Sequence, residues 1–223
     1  MERKLTDLSF EDWIMFVFCW PEDTSGCRWY YDFECEDWQA PAAEIVAYMT
    51  QLFEHPATAL ADYSDGEIAQ GLWYIASNGA SDYMFALADL SVPLGDRLRC
   101  IDAFETLYRE IFVPRCSTVL SHGSQSETNP LNTICYMWWD LLPIYPAPEE
   151  QAAIFDAILR SQTAMLHLPS MACQEGALHG FGHWLEINEP AIQATIDHWL
   201  QQHPEICPQL QTYAQSAQSG CVL

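Results

Sequence analysis

The sequence predicts an all-α fold, on three observations. Apolar residues recur at spacings of three and four along most of the chain. Strand-like alternation is nearly absent. Most of the helical runs open at a proline or at a capping residue. Half of the 223 residues are hydrophobic, enough to bury a sizeable core. The expected form is one helical domain over 1–223, with about nine to ten helices packed as antiparallel neighbours. The stretch 121–128 is the natural place to divide it, into an acidic half, 1–120, and a second helical half, 129–223.

The first helix reads 9–19. Ser9 is a good N-cap, Asp12 stands three residues on, and Pro21 ends the run. The segment 22–39 sets Trp29, Tyr30, Tyr31, Phe33 and Trp38 among Asp32, Glu34, Glu36 and Asp37, and reads as a long loop. Loops of that length in a compact helical domain are often functional. Pro41 opens a helix over 41–54, at the first helical position that proline tolerates, and Pro56 stops it. Ser64 and Glu67 form a capping box for the next helix. Its apolar stripe is Ile68, Leu72, Ile75 and Ala76, and Asn78-Gly79 closes it. A short helix lies near 82–89.

The run 94–112 carries Leu98, Ile101, Phe104, Leu107, Tyr108 and Ile111 on one face, and a further turn reaches past Pro114 towards Leu120. The polar, glycine-containing stretch 121–128 is a loop. Beyond it, helices over 130–142, 148–166, 169–187, 190–202 and 204–217 each begin at or near a proline, with short gaps between them. Successive helices of about 12 to 19 residues joined this way resemble HEAT-type helix pairs, which implies a solenoid-like array. No sequence repeat of fixed period accompanies the pattern, and an irregular helical bundle is the alternative.

Charge bounds the partners. The chain holds 31 Asp and Glu against 8 Lys and Arg, a formal net charge of −23. Such a surface repels phosphate backbones and anionic membranes, so direct nucleic-acid and membrane binding are disfavoured. A basic protein partner would be steered in quickly. Acidity that serves solubility alone is the competing reading. Twenty-one of the acids fall within 1–115, and six of those lie in 22–37. The nine cysteines are odd in number and form no CxxC, so free thiols in a reducing cytoplasm are expected. The apolar run 14–20 is too short for a signal peptide, and no segment approaches a membrane span.

Three clusters could carry chemistry. In 173–186, Glu175, His179 and His183 recur four apart on a helical stripe that drifts about 40° per step, with Glu186 three residues further on. Two histidines at that spacing with nearby carboxylates can hold zinc or iron. The competing reading is close helix packing through Gly176, Gly180 and Gly182, with the imidazoles bonded to neighbouring backbone. The pattern also departs from the HExxH zincin motif, since no glutamate follows His179.

In 129–140, Tyr136, Trp138 and Trp139 cannot all face the core from one helix. A central helix buried over a wide face is the preferred reading, and an aromatic placed at a groove or partner surface is the alternative. In 22–38, Trp29 and Tyr31 with Asp32, Glu34, Glu36 and Asp37 suit a basic partner through ion pairs and cation–π contacts. A solvated loop with its aromatics tucked inward is the alternative. No phosphate-binding glycine loop, nucleophile elbow or CxxC is present.

In size, acidity and lack of catalytic motifs the chain resembles bacterial immunity-type proteins. That resemblance implies a cytoplasmic inhibitor of a basic toxin domain, without enzymatic activity or a bound cofactor. The preferred expectation is therefore a protein that binds a basic partner through the 29–37 segment. A zinc or iron site at Glu175, His179, His183 and Glu186 comes second, and a helical scaffold that docks partners through an apolar groove comes third.

Overall fold

Ser9 caps α1 (Phe10–Phe18) by accepting the Asp12 N–H at 3.1 Å, and the helix turns Trp13, Ile14, Val17 and Phe18 inward. In this computed structural model the described residues are 4–5, 7–20, 28–32, 37–122 and 129–222. Lys4–Leu5 and Asp37–Trp38 form a parallel two-residue bridge, and the rest of the described regular structure is helical.

α2 (Ala42–Glu54) and the single turn α3 (Pro56–Ala59) lead to α4 (Asp65–Ala76). The expected capping box is formed: the Glu67 N–H donates to Ser64 Oγ, and the Ser64 N–H donates to the Glu67 carboxylate. The short helix near 82–89 is a 3-10 segment, Tyr83–Ala88.

The run expected over 94–112 is α5 (Leu94–Asp102), α6 (Phe104–Leu107), a π-turn (Tyr108–Phe112) and α7 (Val113–Arg115). Proline is the cause of the widened turn. Pro114 has no N–H for the usual bond to residue 110, and its ring crowds that carbonyl. The ladder loosens just before it, and the Val113 N–H reaches back five residues to Tyr108 O.

The remaining helices are α8 (Pro130–Met137), α9 (Gln151–Leu166), α10 (Met171–His183), α11 (Glu189–Gln202) and α12 (Pro208–Gln218). α8 ends well before residue 142, which corrects the expected bound, while the widely buried reading of its aromatics is the one the structure adopts. Trp138 follows the last residue of α8 with its backbone still right-handed helical, and Trp139 lies in the turn beyond it. Tyr136, Trp138 and Trp139 are all buried. Trp138 meets Phe53 and Phe104 edge-on, at 5.7 and 5.3 Å between ring centroids.

α4 packs on α8 and α5 packs on α9, so 37–122 and 129–222 share one core. α10 lies inside the second half, against α8, α9 and α12. Among the described residues, no helix is long and apolar enough to cross a membrane, and the seven described cysteines are free thiols.

Candidate functional site

The site is organised around α10. Ser170 caps the helix by accepting the Cys173 N–H. Its glycines are where neighbouring elements come closest. A Cβ on Gly176 would stand 2.5 Å from the Cys135 carbonyl oxygen of α8. One on Gly180 would stand 2.6 Å from Gln162 Nε2 and 2.7 Å from the Trp139 ring. Close approach offsets the roughly 1 kcal/mol of helix propensity that each glycine forfeits against alanine.

Glu175 is fully buried, and both of its oxygens are committed to the loop after α7. Oε2 accepts the Ser121 N–H at 2.7 Å, and Oε1 accepts the His122 N–H at 3.0 Å. His122 Nδ1 lies 2.5 Å from Oε1. A buried carboxylate needs such donors, because burial without them would be very costly. The His122 ring lies nearly flat on Tyr213 of α12, with centroids 4.2 Å apart and planes 16° apart. A cavity of about 220 Å³ opens beside them, lined by His122, Thr212, Tyr213, Ser216 and Cys221.

The Tyr213 hydroxyl continues the network. It lies 2.8 Å from the Tyr136 hydroxyl and 2.8 Å from His179 Nδ1. Burial raises both phenols above their ordinary pKa, so both stay protonated. Burial, with His183 and His122 nearby, pushes His179 down to about 3, so its imidazole is neutral. His179 is 1% exposed, and its Nε2 is buried with no hydrogen-bond partner among the described residues.

His183, one turn on, places its ring 4.5 Å from His179 between centroids. Its Nδ1 lies 3.5 Å from Asp140 Oδ1, just beyond the end of α8. One ligand atom each from Asp140, His179 and His183 falls within 4.8 Å of the others. Atoms sharing a metal at about 2.1 Å stand about 3.4 Å apart in a tetrahedron. Closing the group therefore takes at most about 1.4 Å. The side chains of Asp140 and His183, 36% and 35% exposed, are free to move that far, whereas His179 is fixed.

The structure thus joins two of the sequence candidates, His179 and His183, to a third residue, Asp140, that the sequence did not single out. Glu175 faces the 121–122 backbone instead, and Glu186 sits exposed on the 3-10 turn Leu185–Ile187. Tyr136, Tyr213 and His122 were also not singled out as parts of this site. Their role depends on contacts between residues 34 to 77 positions apart.

The aromatic-acidic segment is placed in part. Trp29 belongs to the 3-10 turn Trp29–Tyr31 and stacks on Trp20, with centroids 4.7 Å apart and planes 8° apart. Tyr31 is 54% exposed, and Asp32 beside it is exposed. Glu34, Glu36 and the Asp37 side chain lie outside the described residues.

No protein-family model, curated protein or solved structure matches the chain, so its functional reading rests on this geometry.

Proposed function

We propose that this protein binds a divalent transition metal, zinc or ferrous iron, through Asp140, His179 and His183. The observation that carries this reading is the buried His179 Nε2. It has no hydrogen-bond partner among the described residues, and His179 belongs to a group with a second imidazole and a carboxylate. An orphaned polar atom in a core is a cost that a ligand can remove. Two imidazoles and a carboxylate suit zinc or ferrous iron better than calcium or magnesium. Three protein ligands leave at least one position for water, as in zinc sites that activate a bound water rather than cross-link a fold.

The test is elemental analysis with paired variants. The purified protein should hold close to one equivalent of zinc or iron after loading and desalting. Asp140→Asn and His183→Ala, both at half-exposed positions, should lower occupancy while far-UV circular dichroism stays unchanged. Under a tenth of an equivalent in the unsubstituted protein removes the reading.

A second reading is supported by charge. With a net charge of −23 and an exposed Tyr31 beside Asp32, the 29–37 segment suits a basic partner, in its sharpest form a toxin domain. Binding of that kind weakens steeply between low and physiological salt. Salt-insensitive capture, or none by any basic protein encoded beside this chain, removes it.

A further inference from the structure

We propose that Tyr213 is the positioning residue of this centre: it selects the nitrogen that His179 presents and ties metal occupancy to the packing of α12. The inference rests on the metal reading above. Its basis is the hydrogen-bond arithmetic of a buried network.

A neutral imidazole carries one N–H and one lone pair. The Tyr213 hydroxyl stands 2.8 Å from His179 Nδ1 and 2.8 Å from the Tyr136 hydroxyl. Suppose Nδ1 carries the hydrogen and donates it to the Tyr213 oxygen. The Tyr213 proton then goes to the Tyr136 oxygen, every bond in the chain is made, and Nε2 is left with a lone pair. In the opposite tautomer Tyr213 donates to Nδ1, and Nε2–H becomes a buried donor without an acceptor among the described residues, with no lone pair to offer a metal. Tyr213 satisfies Nδ1 in either tautomer, and a metal relieves Nε2 only in the first. By occupying Nδ1 and accepting its hydrogen, Tyr213 leaves Nε2 as the nitrogen presented for ligation, the service that outer-shell carboxylates and carbonyls perform for other metal-bound histidines.

The same residue reaches two further elements. Tyr213 is on α12, whose Leu210, Ala214 and Ala217 are buried beside it. Its ring covers His122, which Glu175 holds from α10. Seating a metal on His179 would stiffen the Nδ1–Tyr213 bond, and with it the docking of α12.

The experiment uses Co²⁺ as the probe, read by its visible absorption, with amide hydrogen exchange on the same samples. Tyr213→Phe keeps the ring on His122 and removes only the hydroxyl. The expected result is Co²⁺ affinity about 10–100-fold weaker, the range for outer-shell losses. The absorption spectrum should also alter, and the slowing of α12 exchange that Co²⁺ causes in the unsubstituted protein should disappear. Tyr136→Phe leaves the His179–Tyr213 contact and removes the acceptor of the Tyr213 proton. It should give a smaller loss in the same direction, and it carries the test if Tyr213→Phe does not fold.

Unchanged affinity and spectrum in the folded variant, with binding still lost in Asp140→Asn, overturn the role of Tyr213 and leave the metal reading standing. Absence of any Co²⁺ spectrum in the unsubstituted protein overturns both.

Discussion

Replacing Gly176 by alanine tests a close approach of one helix to the backbone of another. The added Cβ would lie 2.5 Å from the Cys135 carbonyl oxygen and 3.3 Å from its carbon. An ordinary contact is about 3.4 Å, so the overlap approaches 1 Å, and it is with backbone rather than with the end of a flexible side chain. Overpacking typically costs about 1–3 kcal/mol, and a rigid neighbour points to the upper end. Alanine regains about 1 kcal/mol of helix propensity. The net expectation is a loss of about 2 kcal/mol. With a urea slope near 3 kcal/mol/M for a chain of this size, the midpoint falls by about 0.7 M. The melting temperature falls by about 4–8 °C.

The Cys135 carbonyl is also the acceptor of the Tyr108 hydroxyl at 2.7 Å, so a displaced α8 strains that bond as well. Gly95→Ala is the control. Nothing stands within 4 Å of a Cβ there, so the substitution should stabilise by up to about 1 kcal/mol. If Gly176→Ala proves as stable as Gly95→Ala, the argument that glycine permits the α8–α10 approach is wrong.

Three other outcomes follow from the packing and the hydrogen bonds. Glu175→Gln replaces one acceptor oxygen by an amide, leaving at least one of the Ser121 and His122 donors unmet. It should cost about 2–4 kcal/mol and speed amide exchange at both residues, and slow exchange there would count against the clamp. Trp138→Ala empties the space that the indole fills against Phe53 and Phe104 and should cost about 3–5 kcal/mol in chemical denaturation. Burial pushes the Cys100 thiol up to about 12, so in the folded protein iodoacetamide should label the exposed Cys19 and Cys221 and leave Cys100 untouched until unfolding. Mass spectrometry of the labelled peptides reads this directly.

Local signals were legible where the chemistry is local. Ser9, the Ser64–Glu67 box and the prolines at 41, 56 and 130 mark ends that depend only on neighbouring backbone. The early end of α8 was not legible, because the Phe53 and Phe104 rings against which Trp138 packs come from far away in the chain. The π-turn was hidden for a different reason. Pro114 announces a disturbance, but periodicity cannot say whether the helix breaks or widens.

At the site, the four-residue spacing correctly set His179 beside His183. It misled for Glu175 through accumulated drift. Two steps of about 40° put Glu175 and His183 about 80° apart around the axis, so they meet different neighbours. Asp140 has no partner at helical spacing in the sequence and joins the group only when the end of α8 comes to rest beside α10.

The span of these contacts has a consequence for how the protein is made. Tyr136 waits for Tyr213, 77 residues later, and Ser121 waits for Glu175, 54 residues later. A growing chain therefore finishes α8 well before the bond between Tyr136 and Tyr213 can form. Until α12 emerges from the ribosome, His179 lacks its hydrogen-bonding partner on Nδ1 and the imidazole can take either tautomer. On the proposed metal reading, a metal met before that point would encounter a loose, unselected histidine, so loading of the centre would follow the docking of α12.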